Sequence, residues 1–162
     1  MSNDFLRDIG HLGVTARLKR LSDSISYSIR VLYQEKGLDI EPSWHLIFLW
    51  LEEQEISTMT EIAIAMQYSQ AAITKILNKM KVKGYIEFTL DPEDQRRKLI
   101  RLSAKTKERL PQFKKVWEAG QRSIAEMLES NTAFLQGLTA FEEEQQAEAF
   151  ANRVLKKLSS KR

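Results

Sequence analysis

Apolar residues recur every three to four positions along most of this chain. Leu18, Leu21, Ile25, Ile29 and Leu32 form one such stripe, which predicts a long amphipathic helix from about Asp4 to Glu35, stopped by Gly37. Pro42 stands where a second helix can begin, and the run Trp44 to Leu51 is apolar on nearly every side, as a buried helix is. Leu110, Phe113, Trp117, Ile124, Met127 and Leu128 make a third long stripe behind a Ser103 cap, with Pro111 early in it as a source of a kink. Thr139 and Glu142 have capping-box spacing and predict the start of a last helix whose apolar face is Phe150, Val154 and Leu158. Ser159 to Arg162 reads as a frayed end.

One segment departs from these long periods. Thr58-Met-Thr-Glu61 is a capping box ahead of Ile62, Ala63, Ala65 and Met66, which predicts a short helix. Gln67-Tyr68-Ser69 interrupts it. Ser69 can cap a second helix, buried at Ile73, Leu77 and Met80 and terminated at Gly84. Two short helices across a tight turn, the second with small and polar residues outward, describe a helix-turn-helix. Tyr85 to Leu90 then alternates like a strand, Asp91-Pro-Glu-Asp94 has turn chemistry, and Lys98 to Leu102 returns as its partner. The fold class is therefore mostly α (α+β), a winged helix-turn-helix with a two-stranded wing and long helices on either side.

Charge sharpens this segment. The 162 residues carry a net charge of +3, too little to identify a partner. Its distribution is uneven, however. From Glu41 to Met66 there is no Lys or Arg, whereas from Gln67 to Leu110 eleven basic side chains face five acidic ones, a balance of +6. A basic stretch at a helix-turn-helix reads as an anion-binding surface. The absence of cysteine rules out disulfides, thiolate nucleophiles and Cys-ligated zinc. No run of about 18 apolar residues occurs, and the start Met-Ser-Asn-Asp lacks the layout of a signal peptide. These features lead us to expect a cytoplasmic protein without membrane association.

The residues also carry a family resemblance. Thr58-Met-Thr-Glu-Ile-Ala, Ser69-Gln-Ala-Ala-Ile-Thr-Lys-Ile-Leu, Lys83-Gly-Tyr-Ile and Asp91-Pro-Glu-Asp-Gln-Arg-Arg-Lys-Leu-Ile-Arg-Leu-Ser103, in that order and spacing, resemble the MarR family of bacterial transcription regulators. The resemblance implies a homodimer that binds a pseudo-palindromic operator on double-stranded DNA, with 1–37 and 104–162 as dimerisation helices. The DNA-binding region would then be 38–103, with its recognition helix at about 69–83 and its wing at about 85–102. Within this family the lack of cysteine removes sensing by thiol oxidation.

A recognition helix must fit the major groove, so its outer face needs slender polar side chains. Gln70, Ala71, Thr74, Lys75, Asn78 and Lys79 supply one. Gln and Asn can pair with adenine, Lys can reach guanine, and Ala or the Thr methyl can meet the thymine methyl. Ser69 and the free amides at the helix start suit a phosphate. A plainer reading makes Ser69 only a cap and the lysines a solvated face; coincidence with a helix-turn-helix favours groove contact. In the family pattern a wing carboxylate steadies one arginine while another enters the minor groove. Asp94 and Arg96 match the steadying pair, with Arg97 and Lys98 beside them, while Glu93 stands where many members place the tip arginine. Gln67 replaces a common turn glycine, which predicts a turn without positive φ.

His11 and His45 are the only histidines, and neither sits in a nucleophile, metal or phosphate-loop motif. We therefore expect no enzyme, metal or cofactor. Regulators resembling this one respond to small molecules in the crevice between dimer helices and winged helix, where a small aromatic or anionic effector would meet His11, Tyr27, Trp44, His45, Phe48 and Trp117. For most of these, ordinary core packing is the alternative. The rival to DNA binding is a winged helix used for protein contact.

Overall fold

A computed structural model describes residues 4–129 and 132–160. The chain divides into two compact units, Met1–Phe113 and Lys114–Arg162.

The first unit begins with α1 (Phe5–Asp8), a 3-10 turn over Gly10–Gly13, and α2 (Val14–Glu35). The expected single helix from Asp4 is thus broken, and the glycines explain why. Gly10 has φ +58°, and a Cβ on Gly13 would lie 2.1 Å from the carbonyl oxygen of Leu6, so the short α1 folds back where only glycine fits. Arg20 fixes that return by donating two bonds to the Asp4 carboxylate, at 2.7 and 3.1 Å. At its far end α2 closes in a Schellman motif. Gly37, at φ +64°, donates to Gln34 O at 3.1 Å and Leu38 donates to Tyr33 O at 2.8 Å.

Next come α3 (Trp44–Gln54), β1 (Ser57–Thr58), α4 (Met59–Met66), α5 (Gln70–Val82), β2 (Ile86–Leu90), β3 (Lys98–Leu102) and α6 (Ala104–Met127), the last of which ends in the second unit. The capping box forms: Glu61 N–H donates to Thr58 Oγ1 at 3.3 Å, and Thr58 N–H to Glu61 Oε2 at 2.7 Å. The sheet has three strands where two were expected, in the order β1-β3-β2, all antiparallel. Residues 57 and 58 are too few for alternation to reveal, and they pair because Ser57 and Thr58 lie opposite Ile100 and Leu99. Ser103 caps α6 as expected, its Oγ accepting from Thr106 N–H at 3.2 Å. The helix runs on through Pro111.

An aromatic cluster holds this unit together. Trp44, Phe48, Tyr85 and Phe113 are fully buried, and the Phe48 ring lies 5.6 Å from Tyr85 and 5.7 Å from Phe113, distances at which edge and tilted contacts add to simple burial. Ile62, Ile73, Leu77, Met80 and Ile100 complete the core. The apolar run of α3 is covered on one side only: Trp44, Ile47, Phe48 and Leu51 are buried, while Leu46 and Leu49 are exposed.

The second unit holds the rest of α6, α7 (Ala133–Ala147) and α8 (Phe150–Ser159). Thr139 lies inside α7 rather than capping the last helix. That helix starts eleven residues later, where Glu148 takes an extended backbone conformation and Phe150 N–H donates to Gln145 Oε1 at 3.1 Å. A Thr-x-x-Glu spacing in mid-helix has no free amides to cap, so here it carried no start signal. The stripe on α8 exists but is uncovered: Phe150, Val154 and Leu158 are all exposed. Of the expected frayed end, α8 includes Ser159, and residues 161 and 162 lie outside the described residues.

Candidate nucleic-acid interface

The site grows from three helix ends of similar design. Helices α2 and α5 close on Gly37 and Gly84, both with positive φ. Helix α4 closes in the same way on Gln67, at φ +53°, with Gln67 N–H donating to Ile64 O at 3.1 Å and Tyr68 N–H to Ala63 O at 3.0 Å. This corrects the expectation of a turn without positive φ. The Schellman geometry is kept, and a glutamine bears the left-handed conformation at a cost of order 1 kcal/mol.

That turn aims α5. Its Ser69 Oγ accepts from Ala72 N–H at 3.2 Å, which leaves the Gln70 and Ala71 amides without partners among the described residues. Ile73, Leu77 and Met80 anchor one face in the core. On the opposite side Ala71, Lys75, Asn78 and Lys79 are exposed, and Thr74 is half-buried with its hydroxyl donating to Gln70 O at 2.7 Å. The structure therefore brings the predicted reading residues onto one face. Gln70 is partly committed, since its amide nitrogen donates to Thr60 Oγ1 of α4 at 3.2 Å. Val82, 87% exposed and four residues beyond Asn78, extends this face; sequence reasoning passed over it for lack of a polar group.

The loop between β2 and β3 is held by two aspartates. Asp91 Oδ1 accepts from Glu93 N–H at 2.9 Å, and Asp94 Oδ1 accepts from Arg96 N–H at 3.0 Å. Asp94 thus holds the backbone of Arg96 rather than its guanidinium. Ion pairs in the wing are Arg97 with Asp91 at 3.6 Å, in the loop, and Arg101 with Glu87 at 3.0 Å, across the strands. Asp91 was missed as a support, although its spacing to Glu93 is that of an Asx turn. The Arg96 guanidinium pairs with no carboxylate among the described residues, Glu93 included, and is exposed beside Lys98. Glu61, at the start of α4, has its carboxyl held below the ordinary range by the Thr58 amide and hydroxyl, with attraction from Arg97 adding to this.

The six expected effector residues have different surroundings. Trp44 and Phe48 are closed core. His11 and Tyr27 are exposed, and His45 is half-buried with Nδ1–H donating to Pro42 O at 2.7 Å. Trp117 belongs to the second unit. A cleft of about 500 Å³ lies elsewhere in the first unit, lined by Leu51, Ile56, Leu102, Leu110, Glu55 and Lys107 among others, and contains none of the six. Among the described residues no group of His, Asp and Glu is placed to hold a metal, and no helix is long and apolar enough to cross a membrane.

Comparison with known proteins bears on this arrangement. Residues 38–97 match the MarR family. No curated protein matches the sequence. Among solved structures, MepR of S. aureus in complex with DNA is similar at TM-score 0.71 and 19% identity, covering 80% of this chain and 96% of its own. A mutant MarR from E. coli complexed with operator DNA is similar at TM-score 0.63 and 20% identity, over 88% and 98%. The adhesin competence repressor AdcR of Streptococcus pyogenes gives TM-score 0.52 and 21% identity, over 81% and 96%. At such identities these likenesses show the fold, a winged helix-turn-helix, and the segment of it at residues 38–97 is similar to the MarR family.

Proposed function

We propose that the chain is a homodimeric repressor that reads a pseudo-palindromic operator, with α5 in the major groove and the wing against the adjacent minor groove. One observation carries the DNA contact. The slender polar face of α5, the two unpartnered amides at its start and the unpaired Arg96 all belong to a segment with a balance of +6. Amides at a helix start suit phosphate, and the exposed face suits base edges. Arg96 and Arg97 are the cations for the minor groove, with Asp91 and Asp94 shaping the loop that presents them.

The second subunit is supported by what a single chain leaves open. Ile124, Met127, Phe134, Leu135, Phe141, Phe150, Leu155 and Leu158 of the second unit are all exposed, more apolar surface than a lone helical segment keeps in water. An identical copy would cover it and supply the second reading head for a two-fold operator. Release by a small aromatic or anionic effector belongs to this reading. Titration of tryptophan fluorescence with aromatic acids tests it, and the absence of any saturable change would remove that part. Footprinting on the DNA upstream of the protein's own coding sequence tests the whole. A protected stretch of two related half-sites about one helical turn apart is expected. Salt-insensitive binding to a protein with no footprint would replace the reading with a protein-contact module.

A further inference from the structure

The end of α5 opposite Ser69 is tied to the start of α6 by a set of contacts that the DNA face does not use. A helix leaves its last carbonyls unsatisfied. Here those just past α5 are taken up by the Ser103 cap and first turn of α6: Ser103 Oγ donates to Gly84 O at 2.7 Å, Ser103 N–H and Thr106 Oγ1 donate to Tyr85 O, and Lys105 Nζ donates to Lys83 O at 2.8 Å. Arg109, one turn on, donates to Asp39 Oδ1 at 3.0 Å and to the Tyr85 hydroxyl oxygen at 2.8 Å. The Tyr85 hydroxyl itself donates to Asp39 Oδ1, and Lys83 Nζ donates to Asp39 O at 2.8 Å. Lys105 and Arg109 also lie over the Tyr85 ring.

Asp39 is the carboxylate common to this group. Arg109 pairs with it directly at 3.0 Å, whereas Lys83 and Lys105 donate to backbone oxygens, those of Asp39 and Lys83. Tyr85 gives the group its stiffness, because its ring is fully buried against Trp44, Phe48 and Phe113 while its hydroxyl reaches Asp39 and Arg109. Three segments meet at this point: the loop after α2, the end of α5, and the first turns of α6. All lie in the first unit.

We propose that Asp39, Tyr85 and Arg109 form a latch that fixes the angle of α5 against the start of α6, with Asp39 as a positioning residue for DNA reading that does not itself touch DNA. The latch rests on the DNA-binding reading above. Tyr85 lies 16 residues beyond Ser69, at the far end of a 13-residue helix about 20 Å long. A small rotation about that end therefore moves the reading face sideways by several times the displacement at the latch, enough to change which half-site spacing two reading heads accept.

Asp39→Ala and Tyr85→Phe separate the possibilities. Removal of Asp39 raises the net charge from +3, which by charge alone tightens binding to a polyanion. The latch requires the opposite. We expect Asp39→Ala to weaken operator binding about tenfold and to flatten the dependence of affinity on half-site spacing, in operators lengthened or shortened by one or two base pairs. Tyr85→Phe leaves charge and core ring unchanged and should show the same flattening to a smaller degree, while Asp39→Glu should restore part of the spacing preference. If Asp39→Ala fails to fold, Tyr85→Phe carries the test. Unchanged spacing preference in the folded variants, or tighter binding by Asp39→Ala, overturns the latch and leaves the DNA-binding reading standing. Absence of DNA binding by the wild-type chain overturns both.

Discussion

The two units solve the burial problem differently. In the first, Trp44, Phe48, Tyr85 and Phe113 are closed off by their own chain, and α4 and α5 each have a capping side chain and a Schellman end. In the second, α7 and α8 contain no buried residue, and the apolar face of α8 stands open. The first unit has a closed aromatic interior; the second keeps an exposed apolar face, which on the proposed reading a second copy covers. Sequence periodicity looks alike in both, since an apolar stripe records that a face is to be covered and not by which chain.

The comparison is broken most severely by charging the open face. Leu155→Glu with Leu158→Glu should convert the dimer to a monomer in sedimentation or light scattering and lower operator affinity about 100-fold or more through lost bivalency. The helicity of the first unit should survive. A dimer that persists would place the interface elsewhere. Phe48→Ala tests the closed side. It removes the ring that joins Tyr85 to Phe113, and denaturant unfolding should show a loss of about 3–5 kcal/mol; a loss below about 1 kcal/mol would show that the cluster is not the core.

Much of the first unit was legible because its signals are local. The capping box at Thr58, the Ser69 and Ser103 caps, the Gly37 and Gly84 stops and the strand alternation each act within a few residues. What was not legible depended on remote or absent atoms. The break at Gly13 comes from the Leu6 carbonyl, and the third strand from Ile100 and Leu99. At the site, the face of α5 could be read from helical spacing, whereas the partner of each wing carboxylate could not, since loop backbone geometry decided that Asp94 takes an amide and Asp91 an ion pair. That Trp44 and Phe48 are closed core while Tyr27 is exposed could not be read, because aromatic type does not distinguish a pocket wall from core.

Gln67 offers a smaller test. Its φ of +53° is one that glycine adopts freely, so Gln67→Gly should raise the stability of the first unit by about 1 kcal/mol or less, measured by denaturant midpoint. A loss instead would show that the glutamine side chain holds the turn. The smallest effect is a pH dependence. Burial pushes the Asp39 carboxyl up, but the hydrogen bonds from Tyr85 and Arg109 outweigh it and leave the group below its ordinary value of 3.8. Burial first, and then the bond to Asp39, push the Tyr85 phenol above its ordinary value of 10.0. The Asp39 contribution is thus present above pH 3.8 and lost as the pH falls through its lowered value; that of Tyr85 is full below pH 10.0 and lost as the pH rises beyond it. Thermal melts of Asp39→Asn across pH 2 to 6 should show a shallower acid limb than wild type. Parallel limbs would contradict this assignment.

The central claim is that α5 and the wing hold DNA through Lys75 and Arg96. Its most direct test is operator affinity measured against salt concentration, for the wild-type chain and for Lys75→Ala with Arg96→Ala. We predict affinity that falls steeply with salt in the wild type, and for the variant a weaker, still dimeric protein whose salt slope is reduced by about 2. Identical affinity and slope in the two proteins would contradict the assigned face.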